Sequence, residues 1–256
     1  MFGHMHALFI LMLLAGAPDA GPSRRPLELG DRAVSPADLE GRSLYELTLM
    51  RNVIFARAHN HFRRAWLREF FSAQSWYVDE TLDEALLGAH DSDNAEKIAA
   101  YEAGLTREQL LADRDRTRAR LKQQQSKEDE LELRLLSERL GEWAGEGAPP
   151  KGLSPLEDPS QLDQLLSLSQ LDDFSPRDLK LLRNTIFARR GRPFVTPMLK
   201  AHFATVGWYT ADPKYSDSRL TAVDKKNVAL VLSLEQKLQP KKAPEETNKE
   251  RWYGRA

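Results

Sequence analysis

The chain has 256 residues, 41% of them apolar, enough for two small domains with modest cores. Its formal charge at neutral pH is −1, so a general polyanion binder such as a nucleic-acid protein is disfavoured. It has no cysteine, which excludes disulfides, thiol nucleophiles, thiolate metal sites and a lipid-anchored lipoprotein terminus.

In chain order, Ala7 to Leu14 is an apolar run followed by Ala15-Gly16-Ala17 and Pro18-Asp19-Ala20. This is the pattern of a signal peptide over residues 1–20, cleaved after Ala17 or Ala20. A membrane anchor needs about twenty apolar residues and this run is too short. The mature protein is therefore expected to be exported, periplasmic or secreted, and not membrane-spanning.

After a polar leader to Arg32, residues 33–104 read as one helical unit. Its central helix starts at Ser43 with Glu46 as capping-box partner and stops at His59-Asn60, where Asn60 is the expected left-handed residue. Arg64 to Ala73 forms a second helix that buries Leu67, Phe70 and Phe71 and leads to Trp76-Tyr77. An acidic, turn-rich stretch follows, and Ser92 or Asp93 caps a third helix with Ile98, Tyr101 and Leu105 on one face.

Residues 105–143 are highly charged and helical, with their best apolar spacing, Leu133, Leu136 and Leu140, at the end. The early half has too few apolar positions for a sustained coiled coil, so a solvated spacer helix laced with i,i+4 charge pairs is expected. Residues 144–160 hold four prolines and three glycines and read as a flexible linker. Residues 161–238 form a second helical unit, and 239–256 a charged, disordered tail whose apolar residues are Trp252 and Tyr253.

The second unit repeats the first. Leu39 to Tyr77, displaced by 132 residues, falls on Leu171 to Tyr209 without a gap, and fifteen of the thirty-nine positions are identical, among them Arg51, Asn52, Phe55, Arg57, Trp76 and Tyr77. With one further residue of displacement Asn94 falls on Asn227 and Glu102 on Glu235, so the repeat covers three helices. The second copy is the better punctuated. Ser175, Pro176 and Asp178 start its helix and Gly191 can take the left-handed C′ place, while Thr196-Pro197 and Thr221 with Asp224 start the next two.

The motif Leu-Arg-Asn-x-Ile-Phe-Ala-Arg-Arg-Gly over Leu182 to Gly191, followed by Phe194, Trp208-Tyr209, Lys226-Asn227 and Leu234-Glu235, resembles the YARHG domain. The family core, Tyr-Ala-Arg-His-Gly, stands here as Phe187-Ala188-Arg189-Arg190-Gly191 and as Phe55-Ala56-Arg57-Ala58-His59. Both copies have Phe for Tyr, neither has the family's His, and the first also lacks its Gly. The resemblance implies a non-catalytic module of exported bacterial proteins.

Candidate site residues follow from what the copies share. Arg57 and Arg189 lie in the last turn of their helices, where a guanidinium can lay its stem on apolar surface and bond free carbonyls or a carboxylate. Glu102 and Glu235 are the candidate partners, and the functional alternative is a fork for a ligand carboxylate or phosphate. Trp76-Tyr77 and Trp208-Tyr209 are core lids or stacking surfaces. Asn52 and Asn184 are expected to be buried amides bonded to a loop backbone, and Phe55, Phe187, Gly191 and Asn227 to be structural members of the motif. His59-x-His61 lacks a third ligand and a matching pair in the second copy, so no metal, cofactor or catalytic group is assigned.

The expected fold is all-α, two tandem three-helix units joined by a long charged helix and a Pro/Gly linker. The expected function is an exported binding or scaffold protein whose modules recognise a protein or a cell-wall component. An envelope hydrolase with dispersed carboxylates and a purely structural spacer are the alternatives.

Overall fold

The computed structural model describes residues 32–238; the expected export signal and the tail lie outside them. The regular elements among the described residues are all helices, apart from one isolated bridge between Asn60 and Glu80. The first unit contains α1 (Pro36–Leu39), α2 (Leu44–Arg57), α3 (Ala65–Ser72) and α4 (Asp91–Gly104). The Ser43 hydroxyl accepts from the Glu46 N–H at 3.1 Å while the Glu46 carboxylate accepts from the Ser43 N–H at 3.0 Å, the reciprocal start that the sequence announces. At the other end of α2 the Asn60 N–H returns to the Phe55 carbonyl at 3.0 Å, which places the left-handed residue at His59, φ 63°, one position before the expected Asn60. The third helix also begins earlier than expected. Its first residue is Asp91, whose carboxylate takes the Gly88 N–H at 2.8 Å.

The middle stretch departs most from expectation. It is two helices, α5 (Arg107–Gln123) and α6 (Lys127–Leu140), packed side by side. Gln124 turns extended at φ −151°, and Ser126 starts a new helix whose first turn carries Glu128, Asp129 and Glu130. Anionic side chains at that end suit the helix dipole. Leu110, Leu133, Leu136 and Leu140 are buried in the first core, and α6 lies against α2. The stretch is therefore part of the first core, not a solvated spacer: the late leucine stripe is buried by folding α6 back.

This hairpin also caps α2. The carboxylate of Glu132 accepts from the Leu44 and Tyr45 N–H groups at 3.2 and 2.6 Å, so a side chain from α6 satisfies the first-turn donors of a helix eighty-eight residues earlier. Between the units the Pro- and Gly-rich segment is anchored. The Ala144 N–H donates to Ser137 Oγ at 3.0 Å, Leu156 enters the second core, and a 3-10 turn runs over Pro159–Asp163.

The second unit contains α7 (Pro176–Ala188), α8 (Pro197–Ala204) and α9 (Ala222–Leu238). α7 packs on α9 as α2 packs on α4, and α8 begins and ends 132 positions after α3. Matching stitches recur. Asn94 accepts from the Val34 N–H at 2.7 Å and donates to the Arg32 carbonyl at 2.9 Å; Asn227 accepts from the Leu166 N–H at 2.9 Å and donates to the Gln164 carbonyl at 2.8 Å. Tyr77 donates its hydroxyl to the Asn60 carbonyl and Tyr209 to the Arg192 carbonyl, both at 2.8 Å. Each tyrosine ring closes a trio, Phe62–Phe71–Tyr77 and Phe194–Phe203–Tyr209, with the paired phenylalanines stacked at 4.9 and 4.5 Å.

Asn52 and Asn184 do not hold a loop as expected. Their amides donate back to the i−4 carbonyls of Thr48 and Lys180 at 2.8 and 2.7 Å. The loop-holding amides are Asn94 and Asn227, which face the chain segment entering each unit.

Candidate functional site

Two concave sites lie where the units meet. The first is built on the ion pair that the repeat carries twice. Arg51 of α2 reaches Glu102 of α4 at 3.4 Å, and Arg183 of α7 reaches Glu235 of α9 at 2.7 Å. These are the partners of Glu102 and Glu235, in place of the expected Arg57 and Arg189. In the first unit a second cation arrives from the other copy, as Arg177 places both terminal nitrogens 3.2 Å from Glu102.

Around this pair the interface is dense in charge. Arg64, at the start of α3, forks onto Glu138 of α6 with two bonds of 2.8 Å and sends Nε to Asp178 of α7 at 2.7 Å. Burial opposes the charge of Arg64, but the two carboxylates together hold its pKa well above the ordinary arginine value. Burial likewise opposes Glu102, and Arg51 and Arg177 hold its pKa below the usual carboxylate range. Arg139 has a weaker setting. It donates to His202 Nδ1 at 2.7 Å and to the Ala103 carbonyl at 3.0 Å, both neutral, and burial and then Arg177 push its pKa down to about 10. Burial, with Arg139 and Arg177, pushes His202 well below the ordinary histidine value, so it accepts as a neutral ring. Arg51, Arg64, Arg139, Arg177 and His202 all line one cavity of about 120 Å³ between the units.

The second site is a groove of about 400 Å³ where the end of α6, the Pro-rich segment and the second unit converge. Arg189 and Trp208, which the sequence pairs as ligand residues, both line it, with Trp143 and the rings of Pro149 and Pro159. Arg189 pairs through Nη2 with Asp163 at 2.7 Å, and its Nη1 is buried without an acceptor; so is Trp143 Nε1. Trp208 donates Nε1 to the Gly141 carbonyl at 2.8 Å and keeps about a third of its surface exposed. Glu142, Glu157 and Asp158 also line the groove, but each is engaged: Glu142 by Arg107 at 2.7 Å, Glu157 by the Ser154 N–H at 2.9 Å, Asp158 by the Ser160 N–H at 3.1 Å.

The equivalent residues of the first copy are not gathered in this way. Arg57 is exposed and Trp76 is 40% exposed, and neither lines either cavity. Tyr77 and Tyr209 are occupied with their loop carbonyls, and Phe55 and Phe187 are buried in the cores. Gly191 adopts φ 87°, where a side chain is strained, and a Cβ added there would meet Asp212 Cβ at 3.2 Å, so both backbone and space favour glycine. The basic run beside the second motif is neutralised within the chain, by Glu102, Glu235, Asp163 and Asp224. Sequence reasoning missed Trp143, Arg64 and Arg51 as site residues. Only Arg51 carried a signal, its identity in both copies.

A family model, the YARHG domain, matches residues 26–103 and again residues 158–236. No curated protein and no solved structure matches the chain. Among the described residues, no helix is long and apolar enough to cross a membrane.

Proposed function

The chain belongs to the YARHG domain family, and we propose that it is an exported, non-catalytic binding protein of the cell envelope. Its groove takes the carboxylate end of a peptide, presented by a protein or by a cell-wall component. The observation that carries this reading is the pair of buried donors with no acceptor, Arg189 Nη1 and Trp143 Nε1, in the groove that Trp208 also lines. An unpaired buried donor costs free energy until an acceptor arrives. A carboxylate supplies two acceptor oxygens, and a guanidinium favours it over a neutral acceptor.

The engaged state of Glu142, Glu157 and Asp158 supports binding over the carboxylate-based hydrolase, whose chemistry needs a pair of acids free to face each other across a substrate. The buried leucine stripe of α6 and the groove at Trp208 favour binding over a passive spacer. Two equal modules are not needed for this reading, since Arg57 and Trp76 stay apart from the groove.

The test is titration of the mature protein, followed by tryptophan fluorescence, with acetylated tripeptides bearing either a free or an amidated C terminus. The free-carboxylate peptides should bind at least tenfold more tightly, and Arg189→Ala should erase the difference while Arg57→Ala leaves it intact. Equal binding of both peptide forms, or full retention of the preference in a folded Arg189→Ala protein, defeats the reading.

A further inference from the structure

The inter-unit cavity is a second site, separate from the groove. Its wall contains four guanidiniums, Arg51, Arg64, Arg139 and Arg177, against three carboxylates, Glu102, Glu138 and Asp178. All three carboxylates are already used. Glu138 receives the Arg64 fork, Asp178 receives Arg64 Nε and the Ser175 hydroxyl at 2.7 Å, and Glu102 is shared between Arg51 and Arg177.

The surplus shows at two of the guanidiniums. Arg139 touches only a neutral imidazole and a backbone carbonyl, and Arg51, 3% exposed, has its Nη1 buried with no acceptor. A buried cation that lacks a counter-charge is costly, and ordinary proteins remove that cost by pairing. The protein cannot relieve it through His202, which is the acceptor of the Arg139 bond and already neutral. Water could satisfy the orphan donor, but water does not balance the charge.

We propose that this cavity binds a small monovalent anion, a halide or a short carboxylate such as formate, which accepts from Arg51 Nη1 and offsets the surplus positive charge of the wall. A volume of about 120 Å³ has room for such an ion together with several waters. The wall comes from both units, α2, α3, α4 and α6 on one side and α7 and α8 on the other. The anion therefore joins the copies, and its occupancy sets how firmly they are held together.

The experiment uses the mature chain in sodium gluconate, a bulky hydroxylated anion that serves as the reference, with chloride, bromide or formate replacing it at constant ionic strength. A tenfold excess over Kd should raise Tm by about 3–6 °C for a chain of this size, and the rise should saturate. Arg51→Met and Arg139→Gln should each abolish the rise. Arg51→Met leaves Glu102 paired with Arg177, and Arg139→Gln still offers His202 a donor, so at least one of the two keeps its fold. Arg189→Gln, in the groove, should keep the full rise. Crystals grown in bromide should show an anomalous peak beside Arg51 Nη1. No saturable difference from gluconate, a rise that persists in Arg139→Gln, or bromide absent from the cavity would each overturn the proposal.

Discussion

Arg51 and Arg183 stand 132 positions apart and each binds the acid of its own unit's third helix, yet Arg51 has a side chain 4% exposed and Arg183 one that is 26% exposed. Duplication supplied the same pair twice, and assembly then buried one of them, because the second unit lies over Arg51 and adds Arg177 to Glu102. The two pairs should therefore respond differently to the same substitution. Removing one partner of a buried pair strands the other charge at a cost of about 3–5 kcal/mol, and the cost is smaller where the stranded cation, like Arg183, still reaches solvent. Glu102→Gln should accordingly lower unfolding stability more than Glu235→Gln in urea denaturation. Equal losses would mean that the second unit does not cover Arg51.

His59 and Gly191 hold the same left-handed corner, at φ 63° and 87°. Glycine adopts that conformation without a side-chain penalty, and histidine does not. His59→Gly should stabilise the protein by about 1 kcal/mol, less the entropy that glycine adds to the unfolded chain. The side chain contributes little in exchange, a 3.7 Å approach to the exposed Glu80. Gly191→Ala should act in the opposite sense and cost more, since its added methyl would also crowd Asp212. Thermal unfolding of the two single variants separates these effects.

Asn94 and Asn227 each satisfy both an N–H and a carbonyl of the segment that enters their unit. Alanine at either position leaves a buried N–H, that of Val34 or Leu166, and a half-buried carbonyl without their partners. Such a loss costs about 1–3 kcal/mol for each stranded group, so Asn94→Ala and Asn227→Ala should each destabilise by about 2 kcal/mol or more. Hydrogen exchange at the Val34 and Leu166 amides should accelerate in the matching variant alone.

How much of this was legible in the chain depended on the range of the interaction involved. Starts such as Ser43 with Glu46 and Thr221 with Asp224 are closed within four residues, so spacing alone reveals them. The repeat revealed which positions matter without showing what they touch. Arg51, Asn52, Arg57 and Trp76 all recur identically, but their roles differ, and of the four Arg51 alone lines the inter-unit cavity. The spacer reading failed on Glu132 and the leucines of α6, whose partners lie in α2 nearly ninety residues away. Ser126 followed by three acids was the local sign of a second helix start, submerged in a stretch charged throughout. The groove was half visible: Arg189 and Trp208 came from the motif, but Trp143 joins them only through the path of the Pro-rich segment.

Glu132 gives the hairpin a pH dependence. The carboxyl is 2% exposed, and burial pushes its pKa up to about 7, against the bonds from the Tyr45 and Leu44 N–H groups and with Asp113 adding to the rise. In the unfolded chain it titrates near the ordinary glutamate value of about 4.3. A folded-state pKa above the unfolded one means that the folded chain holds the proton more tightly. The associated stability is therefore fully present below pH about 4.3 and is lost as pH rises through about 7. The whole step amounts to about 4 kcal/mol, of which about 3 kcal/mol falls between pH 4.5 and 8. Glu132→Gln removes the titration while keeping an acceptor for one α2 donor. The stability of wild type relative to Glu132→Gln should then fall by about that amount between pH 4.5 and 8 in urea denaturation. Other buried acids, Glu157 among them, are common to both proteins and cancel in the difference. A difference that stays flat across this range would show that Glu132 is ionised in the folded chain at acid pH, with the α2 donors outweighing its burial.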